Sequence, residues 1–282
     1  MEMKDQIIKR KQDLTYLEWS KIRHTSGTAG SFLKSYEKIG NTKTYYKLSD
    51  YDSIKGVIGH ESVNEIIADR LLDILGIEHL NYRLIYADIK VNGKVFSTYV
   101  CASENFRKKT ESKTALDVYY DKEKKENETP LEFCIRNGWG NHIYQMLVVD
   151  FLILNRDRHG ANIEVLQDRK TRTIRLAPLF DHGLSFIWSI KNNTESVNGF
   201  DALSDNPVQS FVGSNSTFEN LNLIPCDKLP KLLPLVENDR ERLFEDLDGI
   251  LAKEYLDKIW EMIWKRWNYY EDFCDKKRKR FE

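Results

Sequence analysis

The clearest hydrophobic pattern in the chain lies between residues 61 and 75. Apolar side chains recur there at helical spacing, and Gly76 follows them directly. Because residues three and four positions apart share one face of a helix, and glycine often ends one, this segment predicts an amphipathic helix. Its apolar face comprises Val63, Ile66, Ile67, Leu71, Leu72 and Leu75.

Strand patterns surround this helix. The segments KTYYKLSD, YRLIYADI and KVFSTYVCA are rich in β-branched and aromatic residues, as strands are. The last two flank Asn92-Gly93, a pair typical of two-residue hairpin turns. Ahead of them, YLEWSKIR predicts a short helix and HTSGTAGSFLKS predicts a loop. The first hundred residues therefore predict a small mixed sheet with one helix.

The pattern changes beyond residue 103. Residues 104–130 are polar and charged, which predicts an exposed loop or an excursion between two lobes. The chain then becomes mainly helical, except that NIEVLQDRKTRTIRLAPLF contains two strand-like runs joined by a polar turn. Residues 190–220, rich in Asn and Ser, predict a long loop. Residues 229–281 predict helix, with one face formed by Leu251, Tyr255, Ile259, Ile263 and Trp267.

Composition narrows the function classes. The 282 residues are 41% hydrophobic, which is enough for one large core or two lobes. Lys and Arg total 43 against 44 Asp and Glu, so net charge favours neither direct DNA binding nor an anionic membrane. No two of the four cysteines form a CxxC pair. The charged N-terminus lacks the apolar core of a signal peptide, and no segment approaches the roughly 20 apolar residues that span a membrane. We therefore expect a cytoplasmic protein with reduced thiols and no membrane span, and the oligomeric state stays open.

A polar cluster follows an apolar run at DFLILNRDRHGAN. Asp157 and Asn162 stand five residues apart there. Asn162 opens the first strand of the predicted hairpin, whose second strand leads into Asp181. Because a hairpin returns its ends to one place, we expect the three side chains to converge. A carboxylate and an amide oxygen suit Mg²⁺ held partly by phosphates, and Asp157 remains to accept a proton. Protein kinases place a catalytic Asp and a metal-binding Asn at this same spacing.

The other requirements of phosphoryl transfer occur upstream. Lys47, on a predicted strand, can supply positive charge to phosphates, and Glu65 in the predicted helix can hold this lysine. Glu61, one turn earlier, is the competing partner. A glycine-containing loop before Lys47 can present backbone N–H groups to phosphate oxygens, because glycine permits their close approach. This candidate phosphate loop comprises Ser26, Gly27, Thr28, Ala29, Gly30 and Ser31.

These motifs resemble, in the same order, the kinase domain of the HipA-like family, including the shorter CtkA-type proteins, and more distantly the phosphatidylinositol kinases. The resemblance runs from about residue 12 to residue 190 and includes SGTAGSFLK, YYKLS, VNEIIADRLLDILGI, NRDRHGAN and LAPLFDHGLSF. It implies an α+β, two-lobed protein-kinase-like fold, with a small mixed-sheet N-lobe over residues 1–103 and a mainly helical C-lobe over residues 104–282. It also implies an atypical Ser/Thr protein kinase with ATP and Mg²⁺ as cofactors, the nucleotide lying between the lobes.

By the same resemblance, individual residues acquire expected roles. Asp157 is the catalytic base, Asn162 and Asp181 hold the metal, and Lys47 contacts ATP and stabilises developing charge. His159 either helps to stabilise the transferring phosphoryl group or holds the shape of the loop through a hydrogen bond.

The expected hinge between the lobes lies near Tyr99 to Ser103, where Val100 and Cys101 are the expected nucleotide contacts. Arg158, beside the expected catalytic base, is expected to form an internal salt bridge.

Two other functions remain open. The DRH loop is shared with phosphatidylinositol kinases, so a lipid is an alternative acceptor, although the chain has no evident amphipathic membrane anchor. A pseudokinase that binds nucleotide or a partner without transferring phosphate is the non-enzymatic alternative. An active kinase is expected to phosphorylate a Ser or Thr hydroxyl of a protein and also itself, with Ser26, Thr28 and Ser31 available in its own loop.

Overall fold

The computed structural model describes residues 6–22, 29–191 and 193–279. Its first part has helix α1 (Glu61–Leu75) and strands β1 (Ile7–Leu14), β2 (Ser20–Ile22), β3 (Ala29–Ile39), β4 (Thr42–Lys47), β5 (Tyr51–Asp52), β6 (Gly56–Val57), β7 (Tyr82–Val91) and β8 (Lys94–Glu104). Six of these strands form one sheet in the order β1-β7-β8-β4-β3-β2. Because β1 and β7 run parallel and the other neighbours antiparallel, the predicted mixed sheet is confirmed.

Helix α1 has the predicted limits. Gly76 ends it in the left-handed region, at φ 71°, and its N–H donates to the carbonyl of Asp73. Nearly every side chain of α1 is buried, on its polar as well as its apolar face. This burial shows that α1 is enclosed on all sides, so its polar residues meet protein groups instead of water.

The predicted hairpin between β7 and β8 is also confirmed. Val91 pairs with Lys94, which leaves a two-residue turn, and Asn92 and Gly93 both have positive φ, at 51° and 81°. Asparagine and glycine are the residues that tolerate this conformation best, so the turn sets the strand register locally.

The short helix predicted for YLEWSKIR is wrong. The described residues of this region form no helix, and Ser20–Ile22 is strand β2. Leu14 and Leu17 are buried against the sheet. Strand pairing and burial outweigh the weak helix propensity of a segment too short to form a helix alone.

The second part of the chain combines helices with small sheets. Its elements are β9 (Glu111–Ala115), α2 (Leu116–Glu123), α3 (Pro130–Arg136), α4 (Gly140–Leu152), β10 (Asp157–Arg158), β11 (Glu164–Asp168), β12 (Ile174–Leu176), α5 (Thr194–Asn198), β13 (Gln209–Ser210), α6 (Thr217–Asn222), α7 (Asp239–Phe244) and α8 (Lys253–Lys279).

Strands β11 and β12 form the predicted hairpin, with Val165 opposite Leu176. Asn162 does not open its first strand as predicted, because it ends a 3₁₀ turn, Gly160–Asn162, and β11 begins at Glu164. The exposed loop predicted for residues 104–130 is wrong, because β9 pairs along the other edge of β11, from Glu164 opposite Ala115 to Asp168 opposite Glu111. The sequence of β9, ESKTA, is too polar to resemble a strand, and its partner lies about 50 residues away.

Two further predictions need correction. Residues 190–220 contain α5, β13 and α6 instead of one long loop, because short helices are stabilised by burial of residues such as Val197 and Leu221. Residues 229–238 are not helical, since Pro230 and Pro234 cannot continue a helix. In α8 the predicted apolar face is buried, and Leu251 lies just before the helix and is partly buried.

The six-stranded sheet is covered on both faces. Leu84 and Cys101 join the main core with α1 and α4, whereas Ile85 and Val100, their neighbours along the strands, join a smaller core on the opposite face. Residues 99 to 103, the predicted hinge, lie inside β8, so the chain leaves the sheet later, after Glu104. No helix within the described ranges has the length and apolar character needed to cross a membrane.

Candidate active site

Three elements meet at the side chain of Lys47. Its Nζ lies 2.9 Å from Oε1 of Glu65 on α1 and 2.5 Å from Oδ1 of Asp181, which follows β12. Glu61 is directed elsewhere, because its Oε2 accepts the N–H of Asp50 at 3.0 Å. Of the two glutamates considered as partners of Lys47, the structure therefore places Glu65 in that position.

Electrostatics keep Lys47 charged. Burial alone works to lower the pKa of Lys47, but the carboxylates of Asp181 and Glu65 outweigh it and raise the pKa above its ordinary value. The ammonium also lies 5.1 Å from the ring centroid of Phe32. A permanently charged group thus occupies one wall of the site.

The Asp181-His182-Gly183 segment is held by backbone contacts. Asp181 has a φ of 61°, and its N–H donates to the hydroxyl of Tyr82 at 3.1 Å. The N–H of His182 donates to Oε2 of Glu65 at 2.8 Å. A Cβ on Gly183 would lie only 3.1 Å from Nζ of Lys47. Because glycine has no side chain, the backbone of this segment can lie close to the lysine ammonium.

Helix α1 also holds the residues that follow. The Nδ2 of Asn64 donates to the carbonyls of Gly183 at 2.9 Å and Ser185 at 3.0 Å. One buried helix thereby positions both Lys47, through Glu65, and the segment that carries Asp181.

The loop with Asp157 and Asn162 lies beside this segment. Nδ2 of Asn162 donates to the backbone carbonyl of Asp157 at 2.9 Å, which ties together the two ends of the five-residue spacing. The N–H of Arg156 donates to the carbonyl of Leu184 at 3.0 Å. The two loops predicted to converge are therefore joined by a direct backbone bond.

A buried ion pair supports the same junction. Nη2 of Arg158 lies 2.9 Å from Oδ1 of Asp150 on α4, and Nη1 donates to the carbonyl of Phe180 at 2.8 Å. The predicted internal salt bridge of Arg158 is confirmed. His159 is more exposed, and its Nε2 lies 3.5 Å from Oδ1 of Asp157.

The remaining predicted residues differ in position. Ser26, Gly27 and Thr28 lie outside the described residues, whereas Ala29, Gly30 and Ser31 open β3. Cys101 pairs with Lys47 across the sheet and faces the same side. The side chain of Val100 points into the smaller core, so any nucleotide contact from this position is limited to its backbone.

A cavity of about 560 Å³ opens in front of Lys47. Lys47 and Cys101 line its sheet side, and Ala161, Phe180 and Asp181 line the facing side. This volume lies within the range that holds small-molecule ligands. Asp181 lines the cavity in contact with the charged Lys47, and Asn162 lies in the adjoining loop; their oxygen atoms fit a magnesium–phosphate group in chemical type.

Several cavity residues were not predicted. On β4, Lys43 and Tyr45 alternate with Lys47 and so share its face, a signal that strand periodicity contains. The Nζ of Lys43 lies 4.7 Å from the ring centroid of Tyr45. Other lining residues, such as Tyr82, Phe106, Lys113, Asp117 and Glu164, come from distant elements, and no local pattern marks them.

The fold and this arrangement together define a kinase-like α+β protein, with the fold of the HipA- and CtkA-type kinases predicted from the motifs. The crystal structure of the Helicobacter pylori proinflammatory kinase CtkA is 16% identical to this chain, with a TM-score of 0.58, and the match covers 91% of this chain and 93% of that one. A chain of the Shewanella oneidensis MR-1 toxin–antitoxin complex of HipA, HipB and operator DNA is 15% identical, with a TM-score of 0.50. This match covers 92% of the present chain and 68% of the other one. No protein-family profile and no curated protein matches the chain. At these identities the likeness concerns the fold alone.

Proposed function

We propose that this chain is an ATP- and Mg²⁺-dependent Ser/Thr protein kinase of the HipA-like type, which also phosphorylates itself. The observation that supports it most is the contact of Lys47 with both Glu65 and Asp181 at the wall of a 560 Å³ cavity. Three residues from remote parts of the chain form the lysine–glutamate–aspartate group that kinases require. The kinase fold of the two similar structures is consistent with the proposal.

Lys47 and the phosphate loop bind the nucleotide phosphates in this proposal. Lys47 retains its proton because of the two neighbouring carboxylates, so it offers positive charge where phosphate charge develops. Glu65, fully buried, holds the ammonium in place. The predicted phosphate-binding segment, whose last residues Ala29, Gly30 and Ser31 open β3, adds backbone N–H donors. From β8, Cys101 flanks the nucleotide with its side chain and Val100 only with its backbone.

Asn162 and Asp181 are the proposed metal ligands. The Nδ2 of Asn162 donates to the carbonyl of Asp157, which fixes the orientation of the side-chain amide whose oxygen is the proposed ligand atom. Bound Mg²⁺ supplies charge compensation on the phosphate oxygens. Asp181 serves both the metal and Lys47, which couples the position of the lysine to that of the metal ligands.

Asp157 orients the acceptor hydroxyl and accepts its proton. Its backbone is fixed by pairing with Gln209 of β13 and by the bond from Asn162, so its carboxylate is carried on a rigid loop. His159 either helps to stabilise the transferred group or holds the shape of the loop, with its Nε2 3.5 Å from Oδ1 of Asp157. Residues 1–103 form the proposed N-lobe and residues 104–282 the proposed C-lobe, with the nucleotide bound between them. The proposed location of the protein is the cytoplasm.

The decisive test compares Asp157→Ala with wild type. We expect phosphoryl transfer to fall by roughly 10²–10⁴-fold, as for the loss of a general base, while MgATP affinity is unchanged. Labelled ATP, offered with a protein mixture or with phosphoinositide vesicles, measures transfer, and mass spectrometry locates modified Ser or Thr residues. Asp227→Ala, which removes an exposed carboxylate elsewhere, is the matched control. Near wild-type transfer by Asp157→Ala contradicts the assignment, and transfer to vesicles alone identifies a lipid kinase.

A further inference from the structure

A second cavity, of about 430 Å³, lies where the linker after β8 meets the turn between β11 and β12. We call it the basic pocket. None of its residues has a part in the proposed reaction. Its walls are formed mainly by Arg107, Lys109, Thr110, Glu111, Arg169 and Lys170.

The basic pocket has four cationic side chains, whereas two carboxylates, Glu111 and Asp168, are bonded to its backbone, so its charge is net positive. Among the described residues, Arg107, Arg169 and Lys170 have no carboxylate partner, and Lys109 donates to the neutral amide of Asn41 at 3.0 Å. Glu111 is already paired with Arg175 at 2.9 Å and is only 5% exposed. The net charge of the whole chain is −1, so this concentration of cations is a local feature.

Two buried carboxylates fix the shape of the pocket. Oδ1 of Asp168 accepts the N–H of Lys170 at 2.8 Å, and its Oδ2 accepts the hydroxyl of Thr110 at 2.9 Å. Oε2 of Glu111 accepts the N–H of Lys108 at 2.8 Å. The backbone that carries the cations is therefore held in place before any ligand arrives, which lowers the ordering cost of binding.

The basic pocket is also connected to the candidate active site. Asn105 and Phe106 line the active-site cavity, and the chain reaches Arg107 of the basic pocket in the next residue. Strand β9 makes a second connection, because Glu111 lines the basic pocket whereas Lys113 lines the active-site cavity. A substrate peptide bound along this strand can reach both cavities within a few residues, because an extended chain spans about 3.3 Å per residue.

We infer that the basic pocket binds an acidic segment of the protein substrate, a run of Asp, Glu or phosphorylated residues near the Ser or Thr to be modified. This inference rests on the proposed function and adds the class of substrate. Arginine and lysine side chains suit carboxylate and phosphate groups. A nucleic-acid duplex fits less well, because its affinity comes from many phosphate contacts along an extended path, whereas these cations surround one cavity.

The test uses the full chain with four substitutions, Arg107→Gln, Lys109→Gln, Arg169→Gln and Lys170→Gln. Fluorescence anisotropy measures binding of a labelled hexaglutamate peptide, with a hexalysine peptide, a six-nucleotide single strand and inorganic phosphate for comparison. We expect the affinity for hexaglutamate to fall roughly tenfold or more, from the loss of four modest charge contacts. MgATP affinity stays unchanged. The matched control replaces the exposed Lys55, Lys90, Lys231 and Lys253 by Gln, which changes net charge equally and leaves hexaglutamate binding within about twofold.

Transfer assays add a second measurement. Serine peptides with a glutamate run at varied distances should have a higher kcat/KM than neutral peptides, and the advantage should disappear in the fourfold variant. The inference is overturned if wild type does not bind hexaglutamate, if both fourfold variants lose affinity equally, or if the oligonucleotide binds at this pocket more tightly than hexaglutamate. If the protein binds hexaglutamate at the basic pocket but transfers no phosphoryl group to any peptide, the proposed kinase function is refuted and the binding inference stands.

Discussion

Asp181 combines a demanding backbone conformation with a charged contact. Its φ of 61° lies in the left-handed region, which costs L-residues about 1–2 kcal/mol and which Asp tolerates better than most. The N–H bond to Tyr82 and the contact with Lys47 stabilise this conformation. Backbone strain near a proposed metal ligand fits the general tendency of strained residues to cluster at functional sites.

The first prediction concerns this residue. Asp181→Ala should weaken the Mg²⁺-dependent part of nucleotide affinity by at least the roughly 10–100-fold seen when the support of a metal ligand is lost. Lys47 keeps its bond to Glu65, so Mg²⁺-independent binding should change little. Calorimetry with and without Mg²⁺, at constant ionic strength, measures both quantities. An unchanged effect of Mg²⁺ in the variant would rule out Asp181 as a ligand.

At the scale of elements, α4 and the loop after it depend on one buried ion pair. Arg158 is 1% exposed and Asp150 is 6% exposed, and the guanidinium also reaches the carbonyl before Asp181. Asn155 donates to the same carboxylate at 2.9 Å. Because both proposed catalytic loops are attached to this pair, it sets their relative position.

The second prediction follows from that attachment. Arg158→Met leaves the Asp150 carboxylate buried without its partner and should lower the free energy of unfolding by about 3–5 kcal/mol. The double variant Asp150→Leu with Arg158→Met should recover much of the loss, because no unpaired charge remains. Arg240→Met, which breaks the exposed pair with Asp257, should cost about 0–1 kcal/mol. Urea unfolding measures all three, and equal losses for the buried and exposed pairs would contradict this account.

At the scale of the whole molecule, buried histidines make the fold sensitive to acid. Burial, with Lys191 nearby, lowers the pKa of His60 to about 4, and burial lowers the pKa of His182 well below its ordinary value. Each folded-state pKa lies below the unfolded value of about 6.5, so the unfolded chain binds more protons as the pH falls. His79 behaves in the opposite way, because its bond to Asp69 overcomes burial and raises the pKa of this imidazole.

The third prediction concerns His60, which is 7% exposed and packs edge-to-face against Tyr255. In wild type, the stability contribution of His60 is present above pH 6.5 and is lost as the pH falls toward 4. His60→Gln should therefore flatten the pH dependence of unfolding in that window by up to about 1.4 kcal/mol per pH unit. Urea unfolding at several pH values between 4 and 7.5 measures the slope. Parallel slopes for wild type and variant would show that His60 does not titrate as described.

Features encoded within a short window were predictable from sequence. Helix α1 follows from apolar spacing, its end from Gly76, and the β7–β8 turn from Asn92-Gly93, because each signal acts on neighbouring backbone angles. The hairpin of β11 and β12 and the salt bridge of Arg158 belong to the same group. The order of the kinase-like motifs was likewise visible without coordinates.

Other features exist only through contacts between distant segments. Strand β9 is polar and becomes a strand because β11, about 50 residues later, supplies its hydrogen-bond partners. The choice of Glu65 over Glu61 depends on which side of α1 faces β4, and the separate positions of Val100 and Cys101 depend on which face of the sheet each side chain joins. Pairing energy and burial come from remote partners, so no local pattern of residues records them.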